Sequence, residues 1–162
     1  MPKIYLNIRK EEVWDEVCKV AEYTGAKMTG EDEEDAYERL LITDEDRKSL
    51  QRFWTELAAV ANGRLQEMLV DVIDINGDFD VALNVSRGFD PDLAESVQVS
   101  LKSYFVSGIA GRWFKFCNKP EADTYLKEAA GMMEDALRKL YSRRRPIRKK
   151  DAISIDIQKQ TE

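Results

Sequence analysis

Apolar residues recur at intervals of three and four along most of the chain, which places them on single faces of helices. The intervals indicate helices at about residues 10–24, 43–68, 90–116 and 120–145. A shorter and strongly acidic helix is predicted within residues 30–42. Helices therefore dominate the predicted fold.

Capping residues stand where these stripes begin and end. Thr43 followed by Asp46 is a variant of the capping box. Asp90 before Pro91 combines a side-chain cap with a proline suited to the first helical turn. Gly25 follows the first stripe, and glycine commonly ends a helix. These residues predict helix boundaries independently of the apolar pattern.

Three segments alternate apolar and polar residues with the period of a β-strand. The first is Lys3–Ile8 and the last is DAISIDIQ, residues 151–158. The middle one contains Asn76-Gly77, a pair that tolerates the positive φ of a two-residue hairpin turn. We therefore predict a β-hairpin at about residues 70–85 and short strands near both ends of the chain.

These elements together predict a mainly α fold: a helical bundle of about four to five helices with one β-hairpin and short terminal strands. The chain of 162 residues is long enough to bury one substantial core. Residues 1–145 form the predicted helical domain. Pro146 ends the last helix, and residues 146–162 form an extended tail that is basic at first and strand-like afterwards.

Charge is distributed unevenly along the chain. The net charge is -6, yet residues 138–150 hold eight basic residues and no acidic one. Three explanations remain open for this segment: it complements the negative end of the last helix, it binds nucleic-acid phosphates, or it meets the acidic face of another copy in a head-to-tail ring. The first explanation covers Arg138 and Lys139 but not the residues beyond Pro146, and the acidic remainder of the chain opposes the second.

The predicted interface lies in this basic segment and in the strand-like tail that follows it. Its residues are Arg143, Arg144, Arg145, Arg148, Lys149, Lys150, Ile153, Ile155 and Ile157. The three isoleucines share one face of an extended segment. We expect them to pair as a strand with Lys3–Ile8 of the same chain or with an exposed sheet edge of a neighbour.

Catalytic chemistry finds little support in the sequence. There is no histidine, the residue that general acid–base catalysis uses most often, and there is no phosphate-binding or dinucleotide-binding glycine motif. Cys18 and Cys117 fall in apolar helical patterns, where small buried thiols are expected, and two cysteines are too few for a zinc site. We therefore predict no enzyme activity, no cofactor and no bound metal.

Three stretches resemble binding sites in composition but fit a structural role better. DINGDFD spaces its acids like a calcium loop, but Phe79 stands where that loop needs glycine and Val85 where it needs a glutamate. The carboxylates of EDEEDAYE repel one another and are expected to face water. GRWFKFCNK mixes basic and aromatic residues as single-strand nucleic-acid grooves do, but Trp113 and Phe116 continue the apolar stripe of their helix and are expected in the core.

The order and character of the helices resemble those of phage head–tail connector proteins, the small helical adaptors that stack as rings at the portal. The resemblance is carried by TDEDRKSLQRFWTEL, by LKSYFVSGIAGRWF, and by ADTYLKEAAGMMEDALRKLYSRRRP with the basic tail after it. It implies a structural subunit of a ring, no catalysis, and tails that embrace neighbouring copies.

We therefore expect a non-enzymatic assembly protein that forms a homo-oligomer or joins portal-type or neck-type subunits. The alternative is a nucleic-acid-associated accessory protein that binds the phosphate backbone through residues 138–150. No run of 18 apolar residues is present, and the first residues lack the apolar region of a signal peptide. We expect no membrane partner and a location in the cytoplasm of the host cell or in the virion.

Overall fold

A computed structural model describes residues 1–27, 42–116 and 118–146. Several predictions concern residues outside this part of the chain, and they stay predictions. They are most of the acidic helix within residues 30–42, Cys117, and the tail from residue 147 onward with Arg148, Lys149, Lys150, Ile153, Ile155 and Ile157.

Four helices and one two-stranded antiparallel sheet make up the described residues, which confirms the mainly α fold. The helices are α1 (Lys10–Lys27), α2 (Arg47–Leu65), α3 (Ala94–Phe114) and α4 (Lys119–Tyr141), and the strands are β1 (Lys3–Ile8) and β2 (Phe79–Asn84). Short 3-10 turns at Asp44–Asp46 and Pro91–Leu93 lead into α2 and α3. None of the described helices combines the length and the apolar character that crossing a membrane requires.

Helix α3 lies at the centre of the fold and packs against α1, α2, α4 and β1. Phe105 of α3 stacks on Trp54 of α2 with ring centroids 4.3 Å apart, and it meets Phe79 of β2 at 5.2 Å. All three rings are buried. Because aromatic side chains bury large apolar areas, this cluster joins the helices and the sheet in one core.

Two glycines let neighbouring helices approach α3 closely. A Cβ atom on Gly108 would lie 2.8 Å from the side chain of Leu57 in α2. On Gly111 it would lie 2.8 Å from the side chain of Leu126 in α4 and 3.1 Å from its backbone nitrogen. The missing side chains therefore set how tightly α2 and α4 pack on α3.

Strand β2 alternates as the sequence predicts, and its partner is β1. The register runs from Lys3 opposite Asn84 to Ile8 opposite Phe79. The core face of the sheet carries Leu6, Ile8, Phe79, Val81 and Leu83, all buried. On β1, the other face of the sheet is exposed to solvent at Lys3 and at every second residue after it.

The turn predicted at Asn76-Gly77 is wrong. No described residue has a positive φ, whereas the two-residue hairpin turn needs it at both central positions. The loop before β2 instead docks on α2, where Trp54 Nε1 donates to Gly77 O at 2.9 Å and Gln51 Nε2 donates to Asn76 O at 3.2 Å. The segment before this loop meets β2 only through an isolated bridge.

The helix starts agree with the predicted caps. Thr43 N donates to Asp46 Oδ2 at 2.8 Å, and Asp90 Oδ1 accepts from Asp92 N at 3.1 Å. The predicted stop at Gly25 is wrong, because α1 continues through this residue without the positive φ of a glycine cap.

The prediction for the end of α3 is correct for one aromatic residue and wrong for the other. Trp113 is half-buried and packs against the core. Phe116 is 83% exposed. It lies beyond Phe114, where α3 ends, so the helical spacing on which the prediction depended no longer applies there.

Candidate interaction site at the end of the last helix

The last described residues leave α4 and turn back onto the loop that precedes α3. Ser142 has an extended backbone, and its amide and hydroxyl both donate to Lys139 O, at 3.1 and 2.6 Å. Two residues later, Arg144 N donates to Gly88 O at 2.7 Å. The start of the basic tail is therefore held against the body of the protein.

The side chain of Arg144 strengthens this attachment. Its guanidinium lies 2.7 Å from Asp90 Oδ1 and 3.8 Å from Asp92 Oδ2. Gly88 also lies close to the side chain of Arg143, which would be 3.4 Å from a Cβ atom at this position. Arg144 thus contributes one backbone hydrogen bond and two side-chain ion pairs within its own chain.

Asp90 has two roles at this site. Its carboxylate caps the turn that begins α3 by accepting from Asp92 N, and it accepts from the guanidinium of Arg144. The hydrogen bond from Arg144 is the largest cause that lowers the pKa of Asp90, followed by the hydrogen bond from Asp92 N. The carboxylate is therefore charged at neutral pH, and the arginine is neutralised locally.

The first two basic residues of the segment are also paired within the chain. Arg138 and Lys139 both form ion pairs with Asp135, one helical turn earlier on α4. Ser100 of α3 donates to the same carboxylate at 2.7 Å. This cluster joins α3 to α4, and its two basic residues lie in the last turn of α4.

The arginines on either side of Arg144 differ from it. Arg143 and Arg145 are exposed and form no ion pair with any described residue. Arg87, next to Gly88, is also exposed and forms no ion pair with any described residue. We call Arg87, Arg143 and Arg145 the basic corner. Arg143 and Arg145 belong to the predicted interface and carry charge that no described residue compensates, whereas Arg87 was not predicted.

The acidic partners of the basic segment are the residues that sequence reasoning missed. Asp135 stands three and four residues before Arg138 and Lys139, a spacing that favours ion pairs on a helix, so the sequence held a signal for it. Asp90 and Arg144 are 54 residues apart. No local pattern links them, and their contact follows from the packing of α4 on α3.

The Ser100 cluster has the residue types of a serine–lysine pair, but its hydrogen bonds give it a structural role. Lys139 Nζ lies 3.0 Å from Ser100 Oγ and 2.6 Å from Asp135 Oδ2. Ser100 Oγ donates to Asp135 and accepts from Lys139, and hydrogen bonds from Lys139 and Ser100 lower the pKa of Asp135 to about 2. Ser100 is only 4% exposed, so its hydroxyl serves the contact between α3 and α4.

Two other ionisable groups, Tyr104 and Cys18, are unsuited to acid–base catalysis near neutral pH. Tyr104 donates to Leu57 O at 2.9 Å, and burial raises its pKa to about 12. Cys18 is half-buried, and burial, assisted by the nearby carboxylate of Asp15, raises the pKa of its thiol. Both groups therefore keep their protons.

In the three described ranges, no group of three or more Asp, Glu or Cys side chains is arranged to hold a metal ion. No protein-family model, curated protein or solved structure matches the chain. The anchored C-terminal segment and its basic corner are therefore the strongest candidate for a functional site.

Proposed function

We propose that this protein is a non-enzymatic assembly subunit that contacts neighbouring subunits through its C-terminal segment, as a ring-forming connector of the phage head–tail type does. The observation that carries the proposal is the contrast between Arg144 and its neighbours. Arg144 is bound to Gly88 and Asp90 of its own chain, whereas Arg143 and Arg145 are exposed and uncompensated.

A segment arranged in this way suits contact between proteins. The attachment at Arg144 fixes where the tail leaves the body, which reduces the conformational entropy that binding must overcome. The basic corner lies beside that attachment, and its exposed side chains are available to a partner's carboxylates. Since most of the chain is acidic, another copy offers many carboxylates, and complementary charge of this kind favours specific and rapid association.

The basic corner also fits nucleic-acid phosphates, and one experiment separates the two functions. Arg143 and Arg145 are both replaced by serine in the full-length chain, leaving Arg144 in place. The control replaces Lys48 of α2 and Lys127 of α4, two exposed lysines, by serine, so that the change in net charge is the same. Sedimentation measures self-association, and fluorescence anisotropy measures binding to duplex and single-stranded DNA.

The assembly function predicts that self-association weakens in the arginine variant but not in the lysine control, with little DNA binding by the wild type. Tight DNA binding by the wild type that falls steeply with salt and is lost in the arginine variant alone would replace this function by the nucleic-acid one. Equal loss of association in both variants would mean that net charge, not the basic corner, governs assembly.

A further inference from the structure

We propose that the open edge of β1 receives residues 153–157 of a second copy, which add to the sheet as an antiparallel third strand. The inference rests on the proposed function, because it names the surface of one copy on which the C-terminal segment of another docks. It assigns the acceptor to backbone groups of Lys3 and Tyr5.

The hydrogen bonds around the sheet determine which backbone groups of β1 point outward. Val85 N donates to Pro2 O at 2.9 Å, and in an antiparallel pair the bonded positions alternate with non-bonded ones. Lys3, Tyr5 and Asn7 are therefore the residues whose N–H and C=O groups point away from β2. The amide of Asn7 agrees with this assignment, because it donates outward to a glutamine side chain of α3 at 3.1 Å.

The opposite edge of the sheet is already covered. Val70 N donates to Ala82 O at 3.0 Å, and Asn84 N donates to Met68 O at 2.7 Å. On the β1 side, the backbone groups of Lys3 and Tyr5 have no hydrogen-bond partner among the described residues. An unpaired edge of this kind is a template for another strand. Tyr5, which stands on this edge, is 75% exposed.

The tail has the pattern that such an edge accepts. Ile153, Ile155 and Ile157 alternate with Ser154 and Asp156, the same period of two that β1 has. Added beside β1, the isoleucines extend the core face of the sheet next to Ile4, which is only half-buried. Strand addition of this kind combines main-chain hydrogen bonds with pockets for alternate side chains.

Charge at the two ends of the edge favours a second copy over the chain's own tail. The Lys3 end is basic, because Val85, which bonds to Pro2, lies just before Arg87 and the rest of the basic corner. The chain's own tail leaves from this end. Pairing it here would bring the three basic residues 148–150 beside like charges, which is unfavourable.

The other end of the edge carries both charges. Asp78, Asp80 and Glu12 lie there together with Arg9 and Lys10, and Glu12 is paired with Lys102 at 3.8 Å. Asp80 stands opposite Asn7, and Asp78 Oδ1 accepts from Lys10 N at 2.9 Å. A tail from a second copy that enters at this end places its basic residues 148–150 beside these carboxylates. Residues 153–157 then run toward Lys3, which makes the added strand antiparallel to β1.

Two full-length variants test the assignment by complementation. Tyr5→Pro removes an outward N–H from the acceptor, and an edge strand tolerates proline where its N–H faces solvent. Tyr5→Thr is the matched control, because it removes the ring but keeps the N–H. Ile155→Asp with Ile157→Asp disables the donor. We expect Tyr5→Pro and the donor variant each to weaken self-association by about tenfold or more, while a mixture of the two forms a one-to-one complex.

Each other outcome has a defined meaning. If the donor variant loses association and Tyr5→Pro does not, the acceptor lies elsewhere, and the proposed function survives. If neither variant loses association, the strand addition is wrong, and the proposed function is then judged by the variant of Arg143 and Arg145 alone. If amide exchange finds the tail protected in a monomeric wild type, the tail pairs within its own chain and the second-copy assignment is overturned.

A peptide of residues 147–162 keeps the test decisive if Tyr5→Pro does not fold, as judged by circular dichroism. The peptide is added to the full-length donor variant, whose edge is intact. New amide protection at Lys3 and Tyr5 supports the assignment, and protection confined to other residues, or none at all, contradicts it.

Discussion

At the scale of single residues, the arginine cluster separates into residues with different partners. Arg144 binds Gly88 and Asp90, whereas Arg143 and Arg145 bind no described acidic group. A carboxylate that accepts from a guanidinium is stabilised in its charged form. The pKa of a single aspartate therefore reports directly on whether the tail is attached.

Replacing Arg144 by serine is expected to raise the pKa of Asp90 toward its ordinary value, because the largest cause of its lowered pKa is removed. An NMR titration of the Asp90 carboxyl measures this change. Arg145→Ser is the control and is expected to leave the pKa of Asp90 unchanged. A pKa that stays low in Arg144→Ser would mean that the cap at Asp92, not Arg144, controls the carboxylate.

Asp135 predicts how stability depends on pH. Its pKa falls from the ordinary 3.8 to about 2 in the folded protein, so its stabilising contribution is complete above about pH 4 and is lost as the pH falls toward 2. Asp135→Asn removes this titration. We expect the variant's melting temperature to lie below that of the wild type at pH 5, and the difference to shrink by pH 2.

Asp123→Asn, at an exposed position on the same helix, is the control for a general effect of losing a carboxylate. It is expected to melt close to the wild type at both pH values. A deficit of equal size at pH 5 and pH 2 in Asp135→Asn would show that the packing of its side chain matters and its charge does not.

At the scale of elements, the contact between α3 and α4 depends on glycine at one position. A Cβ atom on Gly111 would come within 3.1 Å of the backbone nitrogen of Leu126, and a backbone atom cannot rotate away as a side chain can. Gly63 of α2 is different, because a Cβ atom there meets nothing within 4 Å. Replacing glycine by alanine should therefore change the stability of the protein in opposite directions at these two positions.

We expect Gly111→Ala to lower the free energy of unfolding by about 1–3 kcal/mol through overpacking. Gly63→Ala should raise it by up to about 1 kcal/mol through helix propensity. Urea denaturation of both variants measures the two changes. A stabilised Gly111→Ala would show that α3 and α4 are not in close contact at this position.

At the scale of the whole molecule, the sequence predicted what depends on local periodicity. The stripe from Leu50 to Leu65 is buried as predicted, and so are the alternate residues of β2. The partner of β2 could not be predicted, because it comes from Lys3–Ile8 at the far end of the chain and depends on how α1 and α3 pack. The turn prediction failed for a related reason, since side chains of α2 hold the loop carbonyls in a way that no local sequence signal records.

The candidate site shows the same division between local and distant information. The basic segment was evident from composition, and the pairing of Asp135 with Arg138 and Lys139 follows from helical spacing. The role of Arg144 was not accessible, because its partners at Gly88 and Asp90 are distant in sequence. Packing therefore divided a uniform run of exposed arginines into one that is ion-paired and two that have no described acidic partner.

The central claim is that this protein associates through complementary charge and its C-terminal segment. Sedimentation velocity of the full-length chain, over a wide range of protein concentration at about 0.05 M and about 0.5 M salt, tests it most directly, because salt screens exposed charges. We expect species larger than the 18.7 kDa monomer at high concentration and low salt, decreasing as salt rises. A mass of 18.7 kDa at every concentration and both salt levels would contradict the account.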